Sequence, residues 1–426
     1  MGKNVVIVGG GFAGLAASIF LARGGRTVTL FEKRRYLGGR AITHLRHGFR
    51  FNLGPHAFYR GGAGSAVLRE LGIPVRGGVP NGAGIALFGK ERHKFPGNLW
   101  SLLTTGLLRA NEKIELAKLF LRVRRMKDPS AFAAISERKW LDDSVSNERV
   151  RQTMEALLRL ATYCNEPERM SAAAALGQLR RALRGVIYVD EGWQKIVDAL
   201  HSSAVAAGVN FVTSSRIVAL DIDGAVRGIE FGELEPDVED TMELRMPRPS
   251  REHPGTRLAA DTVLLAVDPA TARDLIGEVV WPEMRTVIAS CLDVALSRQP
   301  QPKKNFALGI DQPLYYSVHS RFAQLTPKGG ALIHVARYGG GEENELEALL
   351  DEMQPGWRDL TVHRRFLPSM VVSNALIPPA PAARPSPATP IRGLYLAGDW
   401  VGDVGLLSDA ALASARTAAR AILAAS

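Results

Sequence analysis

The sequence predicts an α/β protein in which an open parallel sheet with packed helices carries a second domain of α+β character. Three observations predict it. Residues 3–32 read as strand, glycine turn, helix, strand and acid. Residues 261–267 (DTVLLAV) form a continuous apolar run, as a parallel strand buried on both faces does. Between these and the chain end lie a long helical stretch and a series of short strands, the composition of a separate domain. A chain of 426 residues accommodates two domains, and with 46% hydrophobic and 23% charged residues it can bury a sizeable core.

The first element is the most informative. Residues 3–8 (KNVVIV) run directly into Gly9-Gly10-Gly11-Phe12-Ala13-Gly14, then a helical run, then a strand at 26–31 that ends on Glu32. Gly9 permits the tight turn, Gly11 lets backbone approach a pyrophosphate, and Gly14 lets the helix pack close to the sheet. The N–H groups of the first turn, at Phe12 and Ala13, and the positive end of the helix dipole then face the phosphates. Glu32, eighteen residues past Gly14 and followed by Lys33, can accept hydrogen bonds from a ribose diol and disfavours a 2′-phosphate. This is a Rossmann-type adenine dinucleotide site.

Two further stretches identify the dinucleotide. Six residues past Glu32 the chain reads Gly38-Gly39-Arg40-Ala41, and at its far end it reads Gly393-Leu394-Tyr395-Leu396-Ala397-Gly398-Asp399-Trp400 before a terminal helix from about Ser408. With these the chain resembles the GR2-like flavoprotein superfamily of amine oxidases, protoporphyrinogen oxidases and phytoene desaturases. The resemblance implies FAD as cofactor. It also implies that Gly39 and Arg40 lie along FAD, that Gly398 and Asp399 hold its ribityl–pyrophosphate region, and that Leu407 and the last helix face the flavin. The turn 52–56 (NLGPH) matches a family turn near the flavin ring, which implicates Gly54, Pro55 and His56; Asn52 replaces the family's aspartate. Residues 188–193 (YVDEGW) resemble the family's turn back to the flavin domain, with Glu191 for its first glycine and Trp193 within reach of cofactor or substrate. Ile217 falls where family members clasp adenine by backbone groups. In the terminal helix Ala410 and Ala415 replace glycines and Asp409 replaces the usual acid.

The rest of the chain divides on this basis. Residues 1–78, 185–274 and 375–426 are three segments of the FAD-binding domain, 79–184 a helical segment facing substrate or membrane, and 275–374 a substrate-domain sheet. Residues 42–51 read as a hairpin, 68–74 as a short helix, 150–184 as a long helical section containing Tyr163, and 209–220 as a strand pair. Residues 232–259 read as a long polar insertion and 378–390 as an extended linker. Asp128-Pro129-Ser130 and Asp142-Asp143 look like helix boundaries. Strands are expected at 286–296, 306–310, 315–319, 331–337 and 360–366, and Tyr315, Tyr316, His334, Tyr338 and Trp357 are possible cavity residues. Residues 109–127 alternate seven basic with apolar positions. They read either as a helix lying in an anionic membrane interface or as the roof of a substrate chamber with a solvated face.

Composition excludes several classes. The net charge of +10 comes from dispersed basic residues with no recognition motif, so no nucleic acid partner is expected. Cys164 and Cys291 show no metal or redox spacing and read as reduced packing residues. No signal peptide or spanning helix is expected, which predicts a cytoplasmic protein, peripheral at the membrane's inner face if the basic run docks there. No metal is expected.

The leading expectation is a FAD-dependent, phytoene-desaturase-like oxidoreductase that takes a hydride to flavin N5 from a hydrophobic isoprenoid. His56 and Trp193 are its candidate catalytic residues. The alternatives are an amine or protoporphyrinogen oxidase, a reduced-FAD isomerase or saturase, and a prenyl-protein-binding module like the GDP-dissociation inhibitors. No lysine stands in a convincing context for the flavin-side lysine of amine oxidases, since Lys303-Lys304 lie in a proline-rich connection.

Overall fold

The computed structural model describes residues 4–233, 255–277, 281–381 and 383–425; most of the polar insertion at 232–259 lies outside these. Two sheets organise the chain. The first is parallel, with strands in the order Asn210–Val212, Thr27–Phe31, Asn4–Val8, Thr262–Leu265 and Leu394–Leu396. Its apolar strands are sandwiched. Helices Phe12–Arg23, Ala63–Leu71, Gln194–Ala206 and Leu407–Ala424 cover one face. A three-stranded antiparallel sheet (Ser215–Ile222, Val226–Glu233, Thr256–Ala259) and helix Pro269–Ile276 cover the other. Alanines let the terminal helix lie close against the first: Ala415, Ala418 and Ala419 are all buried there.

The second sheet has seven strands in the order Thr361–Ser373, Val287–Leu296, Ala331–Tyr338, Leu314–Val318, Phe306–Gly309, Ile85–Phe88 and Glu91–Lys94. One face packs on helix Glu343–Met353. The other packs under a layer of five helices, Leu99–Thr104, Ala110–Arg125, Glu137–Ser144, Glu148–Thr162 and Ala172–Ala182. The hairpin at 85–94 thus joins a sheet whose other strands begin two hundred residues later, pairing in parallel with Phe306–Gly309.

Several expectations need correction. The helical section 150–184 is two helices: Tyr163 caps the first in the left-handed region (φ 61), and Pro167 follows in the connection, where it cannot supply a helical N–H. Residues 209–220 are not a pair, because Ser214 (φ 54) turns the chain from the edge of the parallel sheet into the antiparallel one. Asp142 and Asp143 lie inside helix Glu137–Ser144, and Asn147 caps the next helix. The proline-rich stretch is anchored by Arg384, which donates to Asp399 O (2.9 Å) and Gly405 O (3.0 Å).

Candidate functional site

The carboxyl ends of the parallel strands open onto a cleft of about 1760 Å³ that runs toward the second sheet. At its first end Glu32 closes strand Thr27–Phe31 and is largely buried. Its Oε2 accepts from Gly10 N–H (2.7 Å) and its Oε1 from Arg34 N–H (3.0 Å). Each glycine has a separate reason. Gly9 takes φ +105, and a Cβ on Gly14 would stand 1.9 Å from Gly9 O. A Cβ on Gly11 would meet no atom within 4 Å and would project into open space at the uncapped N-terminus of helix Phe12–Arg23. Open space beside unpaired helix N–H groups fits a pyrophosphate, so this structure accepts the dinucleotide that the motif predicts.

Of the residues singled out in the sequence, Gly9, Gly11, Phe12, Ala13, Glu32 and Lys33 line this end of the cleft, with Ile217 opposite. Gly39, Arg40, Gly398, Asp399 and Leu407 line its middle, and Pro55, His56 and Trp193 its inner end. Gly14 and Gly54 stand behind the lining: Gly14 serves the helix–turn contact, and Gly54 (φ +77) lies under the Met370 thioether.

The middle joins residues 359 positions apart, because Arg40 Nη2 pairs with Asp399 Oδ1 at 2.8 Å. Arg40 Nη1 also donates to Val372 O (3.0 Å), and Asn374 donates to both Asp399 oxygens. Burial alone would push Asp399 up, but Arg40 and the Asn374 donors outweigh it and hold the carboxyl below its ordinary range.

At the inner end Trp193 stacks on Phe12 (centroids 5.5 Å, 11°) and meets His56 edge-on at 4.7 Å. Both His56 ring nitrogens face backbone carbonyls, Nδ1 to Gly54 O (3.1 Å) and Nε2 to Arg40 O (3.2 Å). Burial exceeds the pull of these carbonyls and lowers its pKa to about 4. Asn52 accepts from Trp193 N–H (3.0 Å) and Thr43 Oγ1 (2.7 Å), so it ties the two family-like turns together without an ionised group.

Sequence reading missed part of the wall. Strand Thr361–Ser373 extends well beyond the expected 366 and contributes Leu367, Met370 and Val372. Tyr163 is buried in the core of the helical layer and also lines the cleft, where it donates to Pro55 O at 3.2 Å. The five possible cavity residues 315, 316, 334, 338 and 357 all lie outside the cleft lining. Register divides them: Tyr316 and Trp357 pack on the helix Glu343–Met353 side, and Tyr315, His334 and Tyr338 occupy the opposite face. Lys304, held at Glu352 O, is remote from the cleft.

The parallel sheet, the glycine cradle and the acid that closes the second strand have the arrangement of a dinucleotide-binding protein of the flavoprotein type. A family model described as flavin containing amine oxidoreductase matches residues 12–423, and the chain belongs to that family. It is an FAD-dependent oxidoreductase. A hydroxysqualene dehydroxylase of Rhodopseudomonas palustris is 26% identical over 436 residues, covering 95% of this chain and 94% of that protein. A 4,4′-diaponeurosporene oxygenase of Staphylococcus aureus is 40% identical over 55 residues, 13% of this chain and 11% of that one. An oxidoreductase structure from Methanosarcina mazei superposes with a TM-score of 0.70 at 18% identity, over 99% of this chain and 100% of that one, a likeness of fold.

Proposed function

We propose that the substrate is a hydrophobic isoprenoid held at the inner end of the cleft, where bound flavin would accept a hydride from one carbon while the neighbouring carbon loses a proton to solvent. The observation that carries this reading is the wall there. Leu53, Leu367, Met370, Val372, Tyr163 and Trp193 form it, its histidine titrates near 4, and Lys33, at the far end, is the cleft's lysine among the described residues. Such a wall can hold a carbon chain and exclude water, and it offers no base for an amine. The relative named for hydroxysqualene, matched over nearly its whole length, supports an isoprenoid.

FAD supplies the hydride acceptor and donor. In this reading the chain does the remainder. Gly11 and the first-turn N–H groups receive the pyrophosphate, Glu32 the ribose diol, and Ile217 backbone the adenine. The Arg40–Asp399 pair sets the middle of the cleft, and Trp193 with His56 forms a rigid wall at its inner end. His56 acts there by position: uncharged near neutral pH, its ring donates through one nitrogen to a backbone carbonyl, Gly54 O or Arg40 O.

Anaerobic bleaching of the flavin tests the proposal, with a membrane isoprenoid extract in one arm and a panel of amines in the other. Bleaching by the lipid extract alone is expected; bleaching by amines alone overturns it. A second reading, net reduction by reduced flavin, is favoured by the dehydroxylase name of the relative. It requires turnover of isoprenoid only when a reductant is supplied.

Membrane contact belongs to the same proposal. Among the described residues no helix is long and apolar enough to cross a bilayer. In helix Ala110–Arg125 the residues Leu116, Leu119 and Val123 turn inward, so its main apolar face is not the docking face. The exposed apolar set is Leu99 (71%), Trp100 (72%) and Leu103 with Ile114 and Leu121, beside Lys118, Arg122 and Arg125. Cosedimentation with anionic and neutral vesicles tests it; binding to anionic vesicles is expected, and indifference to both overturns it.

A further inference from the structure

A second cavity lies in the helical layer, outside the cleft, and three arginines line it. Helices Ala110–Arg125 and Ala172–Ala182 end beside each other there, and Arg124, Arg180, Leu183 and Arg184 line a space of about 430 Å³. Two of the arginines are held in place. Arg180, half-buried in the last turn of its helix, donates from Nη1 to Lys127 O (3.2 Å), just past the end of the other helix. The stem of Arg184 lies on Gly61, where a Cβ would stand 2.6 Å from Arg184 Cδ. Arg60 lies against Gly185 in turn, 3.5 Å from where a Cβ would be, and brings a fourth cation close by.

This cluster has no counter-charge of its own. Among the described residues no carboxylate pairs with Arg124, Arg180 or Arg184. Asp128 feels the charge of Arg180, but its two oxygens accept from Ser130 N–H (2.9 Å) and Ser130 Oγ (2.6 Å). Other arginines of the same layer are paired, as Arg138 is with Glu155 (2.8 Å) and Arg151 with Asp142 (2.7 Å). Arg181 reaches Asp409 at 3.9 Å, yet burial, helped by the charges of Arg180 and Arg184, holds it below its ordinary pKa. A cation in a last turn offsets a helix dipole, which accounts for Arg124 and Arg180 taken singly. The two helix ends bring about half a negative charge each, so with Asp128 they fall short of three guanidinium groups. The cavity stays positive.

A phosphate group fits such a place better than a carboxylate does. It offers three acceptor oxygens and up to two charges, and guanidinium forks engage those oxygens in pairs. The volume falls within the range of small-ligand pockets, roughly 300–1,000 Å³, so the phosphate can carry an organic group, for which Leu183 supplies an apolar wall. We propose that this cavity is a phosphate-binding site, in which Arg124, Arg180 and Arg184 grip a phosphate ester whose organic part rests on Leu183. A lipid headgroup and a soluble phosphate ester present this same chemistry. The site does not depend on the isoprenoid reading.

The test uses the flavin-loaded protein, in which the dinucleotide already fills the glycine cradle, titrated calorimetrically with inorganic pyrophosphate at fixed ionic strength. The native protein is expected to bind it, and Arg124→Ala with Arg184→Ala should weaken binding by about tenfold or more. Both side chains are exposed, so the fold should be kept. Arg227→Ala with Arg420→Ala removes the same charge from exposed pairs outside the cavity and should change binding by no more than about twofold. Arg124→Lys with Arg184→Lys keeps the charge but loses the forks, and should weaken binding severalfold. No binding by the native protein, equal losses in the two alanine pairs, or native affinity in the lysine pair overturns the site. Vesicles made equally anionic with phosphatidic acid or with oleate separate the two sources. A preference for phosphatidic acid that the Arg124 and Arg184 alanine pair abolishes assigns a lipid headgroup; pyrophosphate binding with no such preference assigns a soluble ester.

Discussion

The two sheets carry their chemistry in different ways. The parallel sheet works through backbone and through residues close in sequence: Gly9, Gly11, Gly14 and Glu32 fall within one strand–turn–helix–strand unit. The seven-stranded sheet works through side chains at 293, 317, 334 and 365, which meet only when four strands pair in one register. The first is a cradle whose parts lie within one short unit. The second depends on register, and a one-residue slip in any strand would send its member to the opposite face.

The largest effect that would sharpen this contrast comes from the second sheet. Arg365→Met leaves Asp293 buried with His334 and the Cys291 thiol as its close partners, and a loss of about 3–5 kcal/mol is expected in denaturant melts. Pairing it with Asp293→Asn should recover much of that loss; an R365M variant as stable as the native protein would mean the row is not a charged unit. In the first sheet, Glu32→Ala removes the acceptor for Gly10 N–H and Arg34 N–H. It should cost about 1.5–3 kcal/mol, keep the fold, and lose flavin on dialysis. A variant that stays fully yellow would overturn the cofactor placement.

A third variant probes the contact between helices Ala63–Leu71 and Leu407–Ala424. Asp409 is buried in the first turn of the latter, accepts from Gly64 N–H at 2.8 Å, and has no hydrogen bond at Oδ2, which stands 3.9 Å from Arg181 Nε. Burial pushes its pKa from 3.8 up to about 6 against the pull of Gly64 and Arg181. A raised carboxylate pKa destabilises the fold above pH 6, and the penalty fades as pH falls from about 6 toward the unfolded value of 3.8. Asp409→Asn should therefore gain about 1–3 kcal/mol at pH 7, and the gain should shrink over that window. His56 works in the opposite sense, costing stability as pH falls from 6.5 toward 4. The difference between native and variant melts isolates Asp409; a pH-independent difference would count against it. The smallest stability effect is expected for Trp100→Ser with Leu103→Ser, within about 0.5 kcal/mol because both are exposed. Vesicle binding should nonetheless fall several-fold; unchanged binding would remove the patch from the docking surface.

Legibility followed the same division. The glycine turn, Glu32, the Gly38–Gly39–Arg40 segment and the element around Asp399 could be read because each acts within a few residues of itself. That Arg40 and Asp399 pair directly could not, since 359 residues separate them. Tyr163 is core, as an aromatic on an apolar helix usually is, but that its left-handed cap also brings it to the cleft and to Pro55 was not legible. The apolar positions at 114–123 read as one face, yet packing buried Leu116, Leu119 and Val123 and left Ile114 and Leu121 outside. Arg384 sits in a stretch that looked like a passive linker, and nothing local marks it as the anchor of Asp399 O and Gly405 O.

By itself the sequence determined the α/β class and the dinucleotide cradle, because close backbone approach demands glycine at set spacings and a ribose demands an acid at the end of the next strand; the flavin followed from the family resemblance of the Gly38–Gly39–Arg40 and Asp399 elements. Tertiary structure alone decided which of Tyr315, Tyr316, His334, Tyr338 and Trp357 share a face, and which groups His56 and Asp293 touch. A strand's side chains alternate with a period of two, so face and partner depend on register between distant strands, and register is a property of the assembled sheet.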